Sequence, residues 1–179
     1  MNNLKLSTFL VPGIALFLVV VFYFYLKMKA PHKKAFEKFT FIVLIIAFLF
    51  NLAWEVAQLP IYQDYAYNFE HIAFCALASV ADAIMVLLLY YSFSLIYRTS
   101  LWVKNLTRQR IILLILVGGV GAILGEIRYT SEGNWAYANV MPIIPVVNAG
   151  LSPVLQFMIL PILIYYLGFQ ILKKTGTNR

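Results

Sequence analysis

The chain is short of charge and nearly without thiol. Only 12% of its 179 residues are charged, and Cys75 is its one cysteine. A soluble domain carries about 25% charge, so no separate soluble domain is expected. A single thiol excludes an internal disulfide and a cysteine-built metal site. No lysine lies deep in an apolar stretch, which argues against a retinal Schiff base. No nucleophilic triad, phosphate loop or haem motif is visible. The first apolar stretch has no small-residue cleavage site, and Lys27, Lys29, Lys33 and Lys34 follow it at once. That is the pattern of a retained anchor, not of a cleaved leader.

Apolar surface is what the chain has in excess. Hydrophobic residues make up 63% of it, against about 45–50% in soluble domains. About 20 apolar residues cross the hydrocarbon as a helix, and five stretches qualify: 7–26, 39–58, 71–91, 111–126 and 151–172. The expected fold is all-α, a single integral membrane domain over residues 1–179 with five transmembrane helices.

Charge placement sets the expected orientation. Lys27, Lys29, Lys33, Lys34 and Lys38 follow the first stretch, and Arg98, Lys104, Arg108 and Arg110 follow the third. Lys173, Lys174 and Arg179 follow the fifth. An odd helix count puts all three groups on one side, and only Glu37 of the seven acids accompanies them. By the positive-inside rule the N-terminus lies outside and the C-terminus in the cytoplasm, with the bacterial cytoplasmic membrane as the expected address. Anionic lipids account for the net charge of +7, so membrane lipids are expected partners and nucleic acid is not. The oligomeric state is not legible.

Against this apolar background Glu55, Asp82 and Glu126 stand out. An ionised carboxylate at the centre of a membrane helix costs about 2.5–3.5 kcal/mol on insertion scales, so each is a functional candidate by default. At about 100° per residue, Asn51, Glu55 and Gln58 share one face of the second helix, within ~60°. His71, Cys75, Ser79 and Asp82 form a stripe on the third, with Asp82 about 16 Å deeper than His71. The fourth helix offers Gly121-xxx-Gly125, a small-xxx-small spacing that admits a close neighbour. Asn148, Ser152 and Gln156 open the fifth at intervals of four.

Alternating helices bring these groups to one level. The reading is a polar pocket opening toward the outer leaflet, floored by Asp82. Its expected wall includes Trp54, Tyr62 and Trp135, with His71 and Gln156 orienting a ligand. Residues 130–150 are too long for a turn and too apolar to float in water, so they are expected to form a re-entrant or interfacial lid. Plainer roles exist for each residue: Trp and Tyr as interfacial belt, Gln and Asn as interhelical glue, and Glu126 with Arg128 as a snorkelling pair.

At Asn51-Leu52-Ala53-Trp54-Glu55 the chain resembles the fungal integral-membrane cyclases of meroterpenoid and indole-diterpene biosynthesis. Those proteins carry a similar Asn-x-Ala-Trp-Glu run at a helix end, then a helix with an aspartate in apolar surroundings, as Val80-Ala81-Asp82-Ala83-Ile84 has here. The resemblance spans roughly residues 41–89. It implies that Glu55 is the acid that protonates an epoxide or alkene. Gln156 stands where the family has a second, late acid.

The function expected from these features is a small membrane enzyme, a terpene-cyclase-like or isomerase-like acid/base catalyst on a lipophilic isoprenoid. Glu55 would be the acid, and Asp82 or Glu126 the base or electrostatic stabiliser. Asn51, Trp54, Gln58, His71, Trp135 and Gln156 would bind substrate. No cofactor is expected. The acids and His71 have the ligand types of a metal site, but their depths along the helices differ, so no metal is expected either. Two alternatives use the same residues: a lipid or small-molecule binding or transport protein, and a structural accessory subunit.

Overall fold

The computed structural model describes residues 6–176, so Arg179 lies outside the described residues. Five helices are long and apolar enough to cross a membrane: α1 (Leu10–Lys29), α2 (Lys33–Gln58), α3 (Phe69–Ile96), α4 (Arg108–Ser131) and α5 (Leu151–Lys174). The remaining regular structure is a two-rung antiparallel hairpin, β1 (Ile143–Ile144) and β2 (Ala149–Gly150), together with short 3-10 turns.

The helices outrun the apolar stretches for capping reasons. Asn68 accepts the His71 N–H at 2.9 Å and starts α3 at Phe69, ahead of the third apolar stretch. Thr107 accepts the Arg110 N–H at 3.4 Å and starts α4 before its apolar run. Gly133, at φ 71°, takes the left-handed conformation that ends α4. Asn68→Ala is expected to remove about 1 kcal/mol from the start of α3. The measurable sign is faster amide exchange at Glu70, His71 and Ile72 with the helix interior unchanged.

In space the helices form a row: α1 packs on α3, α3 on α2, α2 on α5 and α5 on α4. The row curls at one end. The Thr8 hydroxyl donates to Asn134 Oδ1 at 2.7 Å, and the Tyr129 hydroxyl donates to the Thr8 carbonyl at 3.3 Å. The first and last members of the row therefore meet there, around the ends of α2 and α5.

The opposite, basic end is an aromatic knot. Trp102 is buried against Tyr90, Phe93, Tyr97 and Tyr165, with ring centroids 5.3–6.1 Å away. Its indole N–H donates to the Tyr90 carbonyl at 3.2 Å. The Tyr165 hydroxyl donates to the Val86 carbonyl at 2.7 Å, and the Tyr90 hydroxyl to the Ser100 carbonyl. Each buried polar tip is satisfied, so this half packs as a solid core.

The glycine contact of α4 differs from the Gly121-xxx-Gly125 expectation. A Cβ on either of those glycines would meet nothing within 4 Å. Gly118 and Gly119 make the close approach instead, against Phe157 and Met158 of α5. A regular glycine spacing marks a smooth face, but what lies opposite is set by the neighbouring helix.

Candidate functional site

Asn51, Glu55 and Gln58 fall on one face of α2, as the helical period requires, and that face turns into the bundle. Asp82 comes from the middle of α3, and Ser152 and Gln156 from the first turns of α5. Gln58 and Gln156 are buried, as is Asn51. Glu55 and Asp82 are crowded by these groups and are half-buried.

The side chains make one continuous hydrogen-bonded chain. From one end, the Trp54 indole donates to Ser152 Oγ at 3.3 Å, and the Ser152 hydroxyl donates to Gln58 Oε1 at 2.8 Å. The Gln58 amide donates to Glu55 Oε1 at 2.9 Å. From the other end, the Gln156 amide donates to Asn51 Oδ1 at 2.8 Å and to Asp82 Oδ2 at 3.0 Å. The Asn51 amide donates back to the Ala47 carbonyl at 2.8 Å. Donors thus converge from both sides on Glu55 and Asp82.

The two carboxyl groups also lie within hydrogen-bonding reach of each other. Carboxylates only accept, so a bond between them requires a proton on one. Among the described residues the ion pairs are Lys27 with Glu37 and Arg128 with Glu132; neither cation reaches this pair.

The depth of Asp82 differs from the expectation that it floors a pocket well below Glu55. Asp82 sits thirteen residues into α3, about 20 Å along it, because α3 extends beyond the end of α2. That extra length brings the two acids level. It also removes His71 from their level by about 16 Å. The His71 ring hydrogen-bonds Asn68 Oδ1 at 2.7 Å, at the helix cap. Asn148 is likewise displaced: it occupies the hairpin turn at φ 51°, exposed, and is not part of α5.

Glu126 has a different task. Its Oε2 accepts from the Trp135 indole at 3.3 Å and from the Tyr137 hydroxyl. Trp135 also lies against the Tyr129 ring, with centroids 4.9 Å apart. The carboxylate thereby fastens the long loop between α4 and α5 to the end of α4. Tyr137 was not legible as its partner, because the chain between the end of α4 at Ser131 and Tyr137 is irregular.

That loop folds as a roof against the turn after α2. Its backbone pairs with the turn after α2, Gln63 N–H to the Ala136 carbonyl at 2.9 Å and Ala138 N–H to the Ile61 carbonyl at 3.1 Å. Tyr62 and Tyr137 face each other with ring centroids 5.8 Å apart. Burial pushes both phenols above their ordinary titration range. Gly150 permits this packing, since a Cβ there would lie 2.9 Å from the Tyr137 ring. Tyr137→Phe is expected to cost about 1–3 kcal/mol, the range for losing a hydrogen bond to a charged group. Thermal unfolding in detergent would register it, with the exposed Tyr65→Phe as an unchanged control.

A groove of about 540 Å³ runs between α2 and α5 beside the network. Phe50, Ala53, Leu160 and Leu163 give it apolar walls, and Trp54, Gln58 and Ser152 line it on the network's side. No three His, Cys, Asp or Glu side chains among the described residues gather in metal-binding geometry. No protein-family model, curated protein or solved structure matches this chain.

Proposed function

We propose that this protein is a small membrane enzyme that performs acid/base chemistry, cyclisation or isomerisation, on a lipophilic isoprenoid alkene. The observation that carries the reading is the Glu55–Asp82 pair: two carboxyl groups from different spans, within hydrogen-bonding reach, fed by amide donors and with no cation beside them among the described residues. Such an arrangement holds one transferable proton in a low-dielectric place. A pair meant only to bind helices together needs no acid.

In this reading the substrate enters from the bilayer through the groove between α2 and α5 and meets Trp54, Gln58 and Ser152. Gln58 stands between the groove and Glu55, so its side chain must swing aside for the acid to reach the substrate. Glu55 then gives its proton to an alkene carbon. Asp82, as carboxylate, removes a proton from a neighbouring carbon, and after product leaves the pair exchanges that proton with solvent, which restores the acid on Glu55. Atoms balance: the product is an isomer of the substrate, and no water or co-reactant is consumed. Trp54 offers its ring face to the intermediate cation. Glu126 holds the roof over the site and adds negative potential, while the Tyr62–Tyr137 contact keeps water out. Asn51 and Gln156 orient Asp82. The kinship with fungal membrane cyclases, and the role of Glu55 it implies, belong to this proposal.

The concentration of lysine and arginine at the opposite end supports an orientation with the roof on the non-cytosolic side, and a bacterial cytoplasmic membrane is part of the same proposal. A packing role is the second reading, and one observation favours it: Asn51, Gln58 and Gln156 all have hydrogen-bond partners within the protein.

The test needs no substrate identity. The purified protein, reconstituted with an isoprenoid-rich lipid extract in deuterated water, is expected to place deuterium on carbon in one lipid class, detected by mass spectrometry. A lipid pool unchanged in mass and isomer composition would refute the catalytic reading.

A further inference from the structure

We propose that the basic end of the bundle holds a binding site for the phosphate of an anionic membrane lipid headgroup. This inference is independent of the chemistry proposed for Glu55 and Asp82, which lie at the other end.

A cavity of about 1000 Å³ opens between the start of α2, the 3-10 turn Trp102–Asn105 and the end of α5. Four ammonium groups and an imidazole line it: Lys33, Lys34, Lys104, Lys173 and His32. No acid lines it. The nearest in sequence, Glu37, is already bound to Lys27. Like charges gathered around one concave volume add their potentials and attract an anion to it.

Backbone adds to the attraction. The cavity includes the first turn of α2, a helix of 26 residues. Neither a capping side chain nor an acid in that turn satisfies its leading N–H groups. These point along the positive end of the helix dipole, an arrangement suited to phosphate oxygens.

The walls are rigid, which lowers the cost of binding. Trp102 anchors the 3-10 turn in the aromatic knot. Arg110 clamps the same turn, donating to the Trp102 carbonyl at 2.7 Å and to the Asn105 carbonyl at 2.9 Å. Lys38 Nζ donates to the Thr175 carbonyl at 3.3 Å and ties α2 to the end of α5. Lys173 lies over the Phe169 ring, its nitrogen 4.7 Å from the centroid, at the cavity's edge.

The occupant's second half is apolar. Buried Leu101 and Leu172 form the floor, a surface that suits glycerol and the first methylenes of an acyl chain and has nothing to offer a free inorganic ion. The position, at the ends of five membrane-length helices, is the level at which lipid phosphates lie. Basic pockets between helices at this level are a known means of headgroup recognition.

The experiment uses the full chain in phosphatidylcholine nanodiscs, titrated with phosphatidylglycerol or cardiolipin and read by native mass spectrometry and thermal shift. Wild type is expected to retain the anionic lipid. The variant K33A/K34A/K104A/K173A is expected to bind it about tenfold or more weakly. The control variant K29A/R98A/R108A/K174A removes as many charges outside the cavity and is expected to stay within about threefold of wild type. Should the fourfold variant not fold, K34A/K104A, both exposed, is expected to keep the same direction with a smaller loss. Equal losses in cavity and control variants would overturn the site in favour of diffuse surface charge. Displacement of the lipid by millimolar inorganic phosphate would overturn the lipid as the occupant.

Discussion

The Glu55→Gln protein is expected to lose carbon-bound deuterium incorporation by about 10²–10⁴-fold, the usual weight of a positioned acid, while unfolding at nearly the wild-type temperature. The geometry makes the comparison a fair one. Gln is close to isosteric with Glu, and its oxygen still accepts from the Gln58 amide, as Glu55 Oε1 does now at 2.9 Å. Its amide nitrogen supplies Asp82 with the donor that the shared proton had supplied. Every hydrogen bond in the network keeps a partner, and only the transferable proton is gone. Glu55→Leu is the harsher companion: it strands the Gln58 amide and the Asp82 carboxyl, at about 1–3 kcal/mol for each group left unsatisfied. The catalytic reading requires E55Q to be stable and inactive. If turnover persists in E55Q, the network is helix glue. If no variant changes any lipid, the groove is a binding site without chemistry.

Gly118→Val is expected to be among the most damaging single substitutions in the chain, lowering stability by about 3 kcal/mol or more, at the upper end for overpacking. A Cβ at Gly118 would lie 2.2 Å from the Phe157 carbonyl oxygen and 3.1 Å from its carbon. Backbone cannot step aside as a flexible side chain does, so α4 must move away from α5 as a body. The reason for the close approach lies four residues on. Pro161, inside α5, has no N–H to give to the carbonyl of Phe157. That freed oxygen faces Gly118, whose Cα hydrogen supplies a weak donor. The glycine therefore both admits and partly satisfies a carbonyl that the proline has left open. Gly121→Ala and Gly125→Ala, with nothing within 4 Å of the new methyl, are expected to be neutral or slightly stabilising. Gly118→Ala and Pro161→Ala combined should deviate from additivity, since Pro161→Ala returns the Phe157 oxygen to the helix ladder. Thermal unfolding in detergent of the two single variants and the double variant measures this coupling. Additive losses would break the link between the glycine and the proline.

The distance between what the residues imply and what the bundle does is instructive at Glu126. Read alone, it is an acid at a helix end beside Arg128, and both catalysis and snorkelling fit. The structure gives its carboxylate to Trp135 and Tyr137 and makes it the fastening of the roof. Ser152 shows the reverse. Its spacing from Gln156 put it on the polar face of the fifth helix but named no partner, and in the structure it links the Trp54 indole to Gln58 and completes the chain of donors. Nothing in the spacing of Glu126 and Tyr137, or of Ser152 and Gln58, announces these bonds, because irregular loops and interhelical distances carry no period.

The sequence by itself determined the class of the protein and drew attention to the acids of its candidate site. Five apolar runs of membrane length demand five helices, because backbone in lipid must satisfy its own hydrogen bonds. Helical periodicity placed Asn51, Glu55 and Gln58 on one face, and scarcity alone singled out Glu55, Asp82 and Glu126. The tertiary structure decided depth, pairing and partner. That α3 overshoots α2, so that Asp82 comes level with Glu55 and His71 does not, follows from where Asn68 caps the helix and how the row of helices curls. Those are differences of a few ångströms between elements distant in sequence. They are settled by packing and by the geometry of individual hydrogen bonds, neither of which leaves a mark in composition or period.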